Sequence, residues 1–533
     1  MSIVSPQFFV FVTLLVCLYY TIFRKCAWVL LLVASYAFYF LNEPINIVYL
    51  IITTSSVYIS GILIDRTNRN IKDLSNLDRD IRKNKKELLE KKKKRVLVFA
   101  LILNFLMLSV FKYSAYFYSI IGLISNKFGA LNFLYREEIN TKLLNILQPL
   151  GISFFIFQAT GYLIDVYRNK FEAEKNPFKF ALFVSYFPQI VQGPIGRWNL
   201  LKDDLFKTPD LDYDNLRDGI ILIAFGLFKK VEISNRISVI VNSVFSEYTG
   251  YSGTFVFLSV IFYGIQIYTD FSGGIDIVRG VSKLFGVELS LNFKQPFFAT
   301  SIADFWRRWH ITLGTWLKDY VFYPVNFSKP MFKLNKFGRK HLGAKYGKFL
   351  SLSVSTFLIY FIVGIWHGAG FKYIAFGIWN GTIITISLIL EEFFINTKAK
   401  LGIKDGKLYR IFMILRTNIL VCIGRFFTRA SGFLVALRMI KYSFSNFNLN
   451  GINLEVFRSF SLTKYDYLRI ILGVTLLLIC DYLAEIGFDL KSYLERKSKL
   501  INYIFIIVIV LFLFIGVFYQ NSYVSTEFIY RQY

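Results

Sequence analysis

Long apolar runs recur along the chain, and they constrain its fold more than any other feature. A helix needs about 20 residues to cross a bilayer, and three early runs approach that length, at 8–23, 27–41 and 46–64. Charged residues make up 18% of the 533 positions and are crowded between the runs. The pattern predicts an all-α polytopic membrane protein. It excludes a soluble enzyme, a disordered chain and a single-span anchored domain.

Further apolar segments follow, and several are short or are interrupted by Gly or Pro. The clearest interruption is FPQIVQGPIGRW at 187–198. Non-helical backbone at membrane depth persists where protein or water covers its polar groups. We therefore expect roughly 10–13 transmembrane and re-entrant helices, counting about 18–20 residues for a full crossing. The later segments lie at 96–110, 150–166, 180–195, 219–228, 254–267, 349–365, 374–390, 411–423, 467–483 and 501–518.

The basic residues indicate how the chain is oriented. Sixty-two Lys and Arg against 35 Asp and Glu give a net charge of +27. In a soluble protein this excess would suggest nucleic acid, but between membrane runs it is typical of basic loops that face anionic lipid. We expect membrane lipids and no nucleic acid as partners. The positive-inside rule places Arg24, Lys25 and the basic loop 65–95 in the cytoplasm and the N-terminus outside.

Several kinds of site find no support in the sequence. Cys17, Cys26, Cys422 and Cys480 lie in or beside apolar segments, without a CxxC pair or metal-ligand spacing. The chain has no GxSxG, GxxxxGK[ST] or HExxH motif, which argues against nucleotide hydrolysis and zinc proteolysis. We predict no metal site.

The chain has three histidines, so few residues are candidates for a catalytic imidazole. His341 lies in a basic hydrophilic stretch, where a solvated side chain is expected. His310 follows Trp-Arg-Arg-Trp in a segment that taken alone predicts an amphipathic helix at a membrane interface. The alternative is that Asp304, Arg307 and His310, three residues apart on that helix, form one polar face directed into a cavity.

His367 stands out because it closes an apolar run. An ionisable group within a membrane segment is by default a candidate for a functional site. Its neighbours Gly364, Gly368 and Gly370 carry no side chains, so a substrate would have room to approach the imidazole. From the residues alone, a buried structural histidine explains the pattern as well as a catalytic one.

Two further charged residues admit two interpretations each. Asp270, in the segment 266–279, either braces helix ends inside the bundle or lines a polar path. Arg197, within the interruption at 187–198, is either a cation that snorkels to the membrane interface or a contact for pantetheine or phosphate. Composition goes no further.

Several motifs, in order and spacing, resemble the membrane-bound O-acyltransferase family. The closest branch is that of the bacterial alginate and peptidoglycan O-acetyltransferase-like proteins. Two departures, Gly274 in place of a common aromatic residue and VNFSK in place of a glycine-rich stretch at 325–329, bear on the substrate subclass. The motifs are FWRRWHITLGTWLKDYVFYP at 305–324, GIWHG at 364–368, GISFF at 151–155, YFPQIVQGPI at 186–195, QIYTDFSG at 266–273 and FIYRQY at 528–533.

The resemblance implies a ring of helices around a central funnel and an O-acyltransferase in the bacterial plasma membrane. Such an enzyme moves an acyl group, for which we expect acetyl, from a cytoplasmic thioester to a hydroxyl of an extracellular or cell-wall polysaccharide. The donor is acetyl-CoA or an acyl-carrier thioester, no cofactor is bound, and an extracytoplasmic SGNH-type acyltransferase or hydrolase completes delivery.

The resemblance also assigns roles to residues. His367 matches the catalytic histidine and His310 the second histidine of the family. Histidine suits a general base near neutral pH, so we expect His367 to take the proton of the acceptor hydroxyl. The tetrahedral oxyanion would be stabilised by His310, Arg307 or Trp366. The expected substrate-binding residues are Asp304, Arg307, Trp366, Asp270 and Arg197.

We expect one integral membrane unit with three parts. These are N-terminal transmembrane helices at 1–146, a catalytic core at 147–400 and C-terminal transmembrane helices at 401–533. Alternative functions are D-alanyl transfer toward teichoic acid, a polytopic transporter or exporter with histidines along a polar path, and acylation of a lipid within the membrane plane.

Overall fold

The computed structural model describes residues 1–76, 78–128, 149–488 and 528. Over these residues the regular structure is helical, and the one β-pairing is an isolated antiparallel bridge between Phe293 and Trp309. The prediction of an all-α protein is confirmed. The apolar run 501–518 and all of the motif at 528–533 except Phe528 lie outside the described residues.

The chain divides into two compact units. The first contains Met1–Ile223 and Val278–Ser290, and the second contains Ala224–Ile277 and Leu291–Tyr533.

In the first unit, two helices begin at residues typical of helix starts. Ser5 caps the first helix and Asn176 caps a later one, each directly before a proline. The helices are α1 (Pro6–Tyr20), α2 (Ala27–Asn42), α3 (Ile47–Asp73), α4 (Arg79–Phe128), α5 (Ile152–Tyr167), α6 (Pro177–Ser185), α7 (Phe187–Ile190), α8 (Trp198–Phe206) and α9 (Tyr213–Leu227), which runs into the second unit.

The second unit carries all three histidines. Two π-helical turns, Phe228–Ser234 and Lys318–Phe322, each continue directly from one helix into the next. The helices are α10 (Asn235–Ser246), α11 (Gly253–Leu284, shared with the first unit), α12 (Ile302–Arg308), α13 (Ile311–Leu317), α14 (Tyr323–Asn326), α15 (Lys329–His367), α16 (Phe371–Ile389), α17 (Glu391–Lys400), α18 (Lys407–Arg429), α19 (Phe433–Ser445), α20 (Leu454–Arg458) and α21 (Lys464–Glu485).

Eight helical segments within the described residues are long and apolar enough to cross a membrane. Shorter apolar helices, among them α1 and α5, add to these. The protein is therefore a multi-pass membrane protein, as the apolar runs predict. The eight segments are Arg24–Asn42, Ile47–Asp73, Arg79–Ser114, Gly253–Leu284, Phe349–His367, Phe371–Ile389, Lys407–Arg429 and Lys464–Glu485.

The basic stretch 65–95, predicted as a cytoplasmic loop, is mainly helical rather than irregular. α3 continues to Asp73, and α4 begins at Arg79 and runs through the lysine cluster. Lys, Glu, Leu and Arg, which dominate this stretch, are strong helix formers. Glu87 and Lys91 also pair at 2.8 Å across one helical turn. The high content of charged residues makes this segment polar, but its backbone is still helical.

The interruption at 187–198 is confirmed, and buried side-chain amides cover its polar backbone. Gln158 of α5 donates to the carbonyl of Phe183, where α6 nears its end. Its Oε1 accepts from the Gly196 N–H at 3.2 Å and from Gln189 Nε2 at 2.9 Å. Protein groups thus replace the water that non-helical backbone would otherwise need.

Glycines allow α9 and α11 to approach closely within the second unit. A Cβ built on Gly226 would lie 2.5 Å from the Gly273 carbonyl oxygen, and one built on Gly273 would lie 2.8 Å from the Gly226 carbonyl oxygen. Both distances are shorter than real Cβ atoms adopt. Small residues commonly mediate such contacts between membrane helices.

Gly273→Ala should force these two backbones apart and lower the apparent melting temperature of the purified protein in detergent. Overpacking of this kind typically costs about 1–3 kcal/mol in the free energy of unfolding. Gly250→Ala is the matched control, because a Cβ there meets nothing within 4 Å. Equal melting temperatures for the two variants would show that the helices can separate freely.

Candidate active site

The segment around His310 is broken into two helices. α12 ends at Arg308, Trp309 is extended, and α13 begins at Ile311. The expectation that Asp304, Arg307 and His310 share one helical face is therefore wrong. The break arises because the Lys294 N–H donates to the Arg308 carbonyl at 2.9 Å and the Ile311 N–H donates to the Asn292 carbonyl at 3.0 Å.

Asn292 fixes the orientation of His310. Its Oδ1 accepts from the Thr312 N–H at 3.1 Å and from the Thr312 hydroxyl at 2.9 Å, and it lies 3.2 Å from His310 Nδ1. A backbone N–H can only donate, so the atom that faces His310 is the amide oxygen. In the neutral ring Nδ1 therefore carries the hydrogen and Nε2 carries the lone pair. Burial, with His367 as the smaller cause, lowers the pKa of His310 to about 3.

The structure brings His310 and His367 to the same place in the second unit. His367 is the last residue of α15 and is buried, with 6% of its surface exposed. The Trp366 ring contacts both imidazoles, with centroid distances of 5.6 Å to His310 and 5.0 Å to His367. Phe376 of α16 packs edge-on against His367 at 5.3 Å. Aromatic rings thus hold both histidines in place.

The glycines beside His367 serve helix packing rather than substrate access. A Cβ on Gly368 would lie 2.5 Å from the Tyr373 ring, and one on Gly364 would lie 2.4 Å from the Tyr373 carbonyl oxygen. The space that the missing side chains leave is already filled by α16. The expectation that Gly364 and Gly368 open a path to the imidazole is therefore wrong.

His367 instead lines a small cavity of about 40 Å³. Its polar lining consists of His367, Asn380, Arg425 and Thr428. Asn380 is already engaged, since it accepts from Trp306 Nε1 at 3.0 Å and donates to the Phe376 carbonyl at 2.8 Å. The apolar lining consists of Ile267, Phe305, Trp306, Trp309, Phe376 and Val421.

Asn380 and Arg425 are cavity residues that the sequence analysis missed. Each lies in or beside an apolar run, at 374–390 and 411–423, where a strong polar group deserves the attention that His367 received. Neither carries a motif, and nothing in the sequence places their helices beside His367. Three-dimensional packing alone identifies them.

The charged residues of α12 anchor that helix. Arg308 donates to Glu485 at 2.6 Å and lies 3.2 Å from Asp304, whose carboxylate also accepts from the Thr300 N–H at 3.2 Å. The Arg307 side chain is 69% exposed and lies 3.4 Å from Asp304. Neither Asp304 nor Arg307 lines the cavity beside His367.

Asp270 and Arg197, two other residues expected at the site, are not among the residues that line the cavity beside His367. Asp270 forms a buried ion pair with Lys230, and Ser234 lies 3.4 Å from the same carboxylate oxygen. Arg197 belongs to the first unit, with Nη1 at 3.9 Å from Asp165. Within the described residues, no group of three or more His, Cys, Asp or Glu side chains is arranged to hold a metal ion.

Comparison with known proteins places these residues in a family. The model of the family described as "MBOAT, membrane-bound O-acyltransferase family" matches residues 172–423, which include both His310 and His367. A probable alginate O-acetylase from Pseudomonas syringae is 29% identical over 76% of this chain and 69% of its own length.

Two further relatives carry different names. A peptidoglycan O-acetyltransferase from Helicobacter pylori is 30% identical over 67% of this chain and 66% of its own length. A teichoic acid D-alanyltransferase from Bacillus subtilis is 27% identical over 52% of this chain and 68% of its own length. The chain spans about two thirds of the length of the curated relatives it matches, and less than two thirds of several of them.

The matched segment, the paired histidines and the multi-pass helical structure agree with one another. The chain belongs to the membrane-bound O-acyltransferase family.

Proposed function

We propose that this protein is an O-acyltransferase of a bacterial plasma membrane that transfers an acetyl group from a thioester to a hydroxyl destined for an extracellular or cell-wall polysaccharide. The observation that carries the proposal is the cavity beside His367, because a catalytic imidazole must face space in which two substrates can meet. The names of the relatives support the acceptor class.

The reaction needs a base, since an alcohol is a poor nucleophile at neutral pH. Neutral His367 takes the proton of the acceptor hydroxyl as its oxygen bonds to the thioester carbonyl carbon. The carbonyl electron pair moves to oxygen and forms a tetrahedral oxyanion. When the oxyanion collapses, the carbon–sulfur bond breaks, and the imidazolium returns the proton to the departing sulfur.

His310 has a different role in this proposal. Its Nδ1–H is held by Asn292, so Nε2 presents a lone pair in a ring that stays neutral. The single hydrogen of the reacting hydroxyl goes to His367, so His310 accepts a hydrogen bond from a different donor group of the acceptor molecule. His310 therefore acts in positioning, as a fixed neutral imidazole beside Trp366.

The size of the cavity favours a small acyl group. The cavity beside His367 is small, at about 40 Å³, so a compact group fits there better than a branched one. An acetyl group has three non-hydrogen atoms, whereas a D-alanyl group is larger. Exclusion of bulk water has a second benefit, because His367 would otherwise activate water and hydrolyse the donor.

The resemblance to the family, rather than the cavity, supports the choice of donor and partner. We propose acetyl-CoA or an acyl-carrier thioester as donor on the cytoplasmic side, with no bound cofactor. Delivery to the polysaccharide is assigned to an extracytoplasmic SGNH-type protein. The match to a teichoic acid D-alanyltransferase keeps D-alanyl transfer as the second candidate.

His367→Ala should abolish detectable transfer while the protein stays folded in the membrane. General-base catalysis is worth about 10²–10⁴ in rate, so base-labile acetate on surface polysaccharide should fall at least about 100-fold in a deletion strain that carries the variant. Base-labile D-alanine is measured on the same samples, and a loss of D-alanine instead of acetate would select the second candidate.

The control for this experiment is His341→Ala. His341 is exposed and does not line the cavity, and its ring contacts that of Phe337 at a centroid distance of 4.4 Å. It should leave acylation at the wild-type level. Wild-type acylation in the His367 variant would reject the assignment of the base, and donor-independent movement of an intact solute would identify a transporter.

Asn292→Ala should slow transfer about tenfold, which corresponds to the loss of one orienting hydrogen bond. Thr312→Val is the matched variant, because it removes a hydroxyl that shares the same Oδ1 but leaves His310 held. Initial rates in membrane vesicles, normalised to folded protein, compare the two. Equal rates would show that the orientation of His310 does not matter.

A further inference from the structure

Arg425 is a buried cation beside the cavity of His367. It lies near the end of α18 and has 6% of its surface exposed. Its Nη2 is fully buried and has no hydrogen-bond partner among the described residues, which also contribute no carboxylate to it. Its Nη1 approaches the Cys422 sulfur at 3.8 Å, which is a weak acceptor.

Such an arrangement is costly for a folded protein. A buried charge without a partner is strongly unfavourable, and replacing buried charge with apolar groups is often neutral or stabilising. Other arginines in the second unit obey this rule, as Arg236 shows by pairing with Glu232 at 3.1 Å and with Asp466 at 3.2 Å. Arg425 therefore calls for a ligand that supplies negative charge.

Surrounding groups fix where the guanidinium can lie. It stacks over the Phe297 ring at 5.7 Å. On another side it fills the space above Gly264, where a Cβ would lie 1.9 Å from Nη1. A glycine and an aromatic ring thus hold a rigid cation in one position, which is the preorganisation that electrostatic catalysis requires.

The environment of Arg425 strengthens its field. Besides the cavity of His367, Arg425 lines a second cavity of about 280 Å³ whose lining is mainly apolar side chains, including Phe257, Leu415 and Leu477. Charge interactions are much stronger in such surroundings than in water. A negative charge that develops near Arg425 would be stabilised more than one near the exposed Arg307.

We propose that Arg425 is a catalytic residue that binds the oxyanion of the tetrahedral intermediate. This inference rests on the proposed acyl transfer. As the acceptor oxygen bonds to the carbonyl carbon, the carbonyl electron pair moves to oxygen, and an Nη2–H of Arg425 donates to it. No proton is transferred between Arg425 and the oxyanion. When the carbon–sulfur bond breaks, the carbonyl forms again and the hydrogen bond weakens.

The kinetic constants separate this role from binding of a phosphate on the donor. His367 and Arg425 line the same cavity, so a thioester carbonyl that reacts beside His367 would also lie beside the guanidinium. The interaction strengthens in the transition state, so it raises kcat rather than lowering KM.

The test compares Arg425→Met with Arg429→Met in membrane vesicles that carry the full-length protein. The probe is acetyl-CoA, and release of CoA thiol and gain of polymer-bound acetate are both measured. Arg429 lies one turn further along α18, where it donates to Asn242 and stacks over Phe245. Arg425→Met should lower kcat about 10²–10³-fold, as loss of an oxyanion donor does, with KM changed less than about threefold.

Thermal unfolding in detergent supplies the readout that a structural role would change. Arg425→Met should unfold at or above the wild-type temperature, because it removes an uncompensated buried charge. Arg429→Met should keep the wild-type kcat. If Arg425→Met fails to fold, Arg425→Lys, which keeps the charge but not the planar fork, is measured instead and should lower kcat at least about tenfold at unchanged KM.

Three outcomes would overturn the proposal. They are a wild-type kcat in the folded Arg425 variant, a rise in KM at unchanged kcat, and an equal loss of kcat in Arg429→Met. Failure of the underlying function is recognised separately, because the wild-type protein would then release no CoA thiol, or His367→Ala would keep the wild-type rate.

Discussion

The left-handed backbone at His310 is the constraint on which the candidate site depends. With φ of 48° and ψ of 52°, this non-glycine residue occupies a region that costs roughly 1–3 kcal/mol. The conformation is held by the bridge between Phe293 and Trp309 and by the bonds to Asn292. Because the helix stops there, Trp309 lines the cavity while His310 packs against Trp366. In an uninterrupted helix, the side chains of Trp309 and His310 could not make these two contacts together.

Buried charge is used in two ways in the second unit. Most of it is neutralised locally, as in the pair of Lys230 with Asp270 and that of Lys229 with Asp276 at 2.7 Å. Such pairs fix how helices pack and gain little net stability, since desolvation offsets attraction. Arg425 stands apart from these pairs, and its position beside His367 connects an unfavourable buried charge to a reaction that generates a negative one.

The sequence predicted the membrane helices and the two histidines because both depend on local features. Apolar length identifies a span, and an ionisable residue within such a span stands out. The sequence-based predictions were wrong where contacts between distant parts of the chain determine the local structure. Pairing of residue 292 with residue 311 broke the helix expected around His310, and α16 filled the space beside Gly364. Arg425 lies 58 residues after His367, and no local pattern links them.

The charge of Arg425 also bears on which acyl group the cavity accepts. A D-alanyl thioester carries an ammonium group two bonds from its carbonyl carbon, and that group would enter the same small space as the guanidinium. Two cations in apolar surroundings repel strongly, and no carboxylate of the described residues lines the cavity to separate them. An acetyl group has no such charge and places its oxygen toward the cation. The residue that stabilises the oxyanion would therefore also reject the charged donor, which makes catalysis and acyl selection two effects of one buried charge.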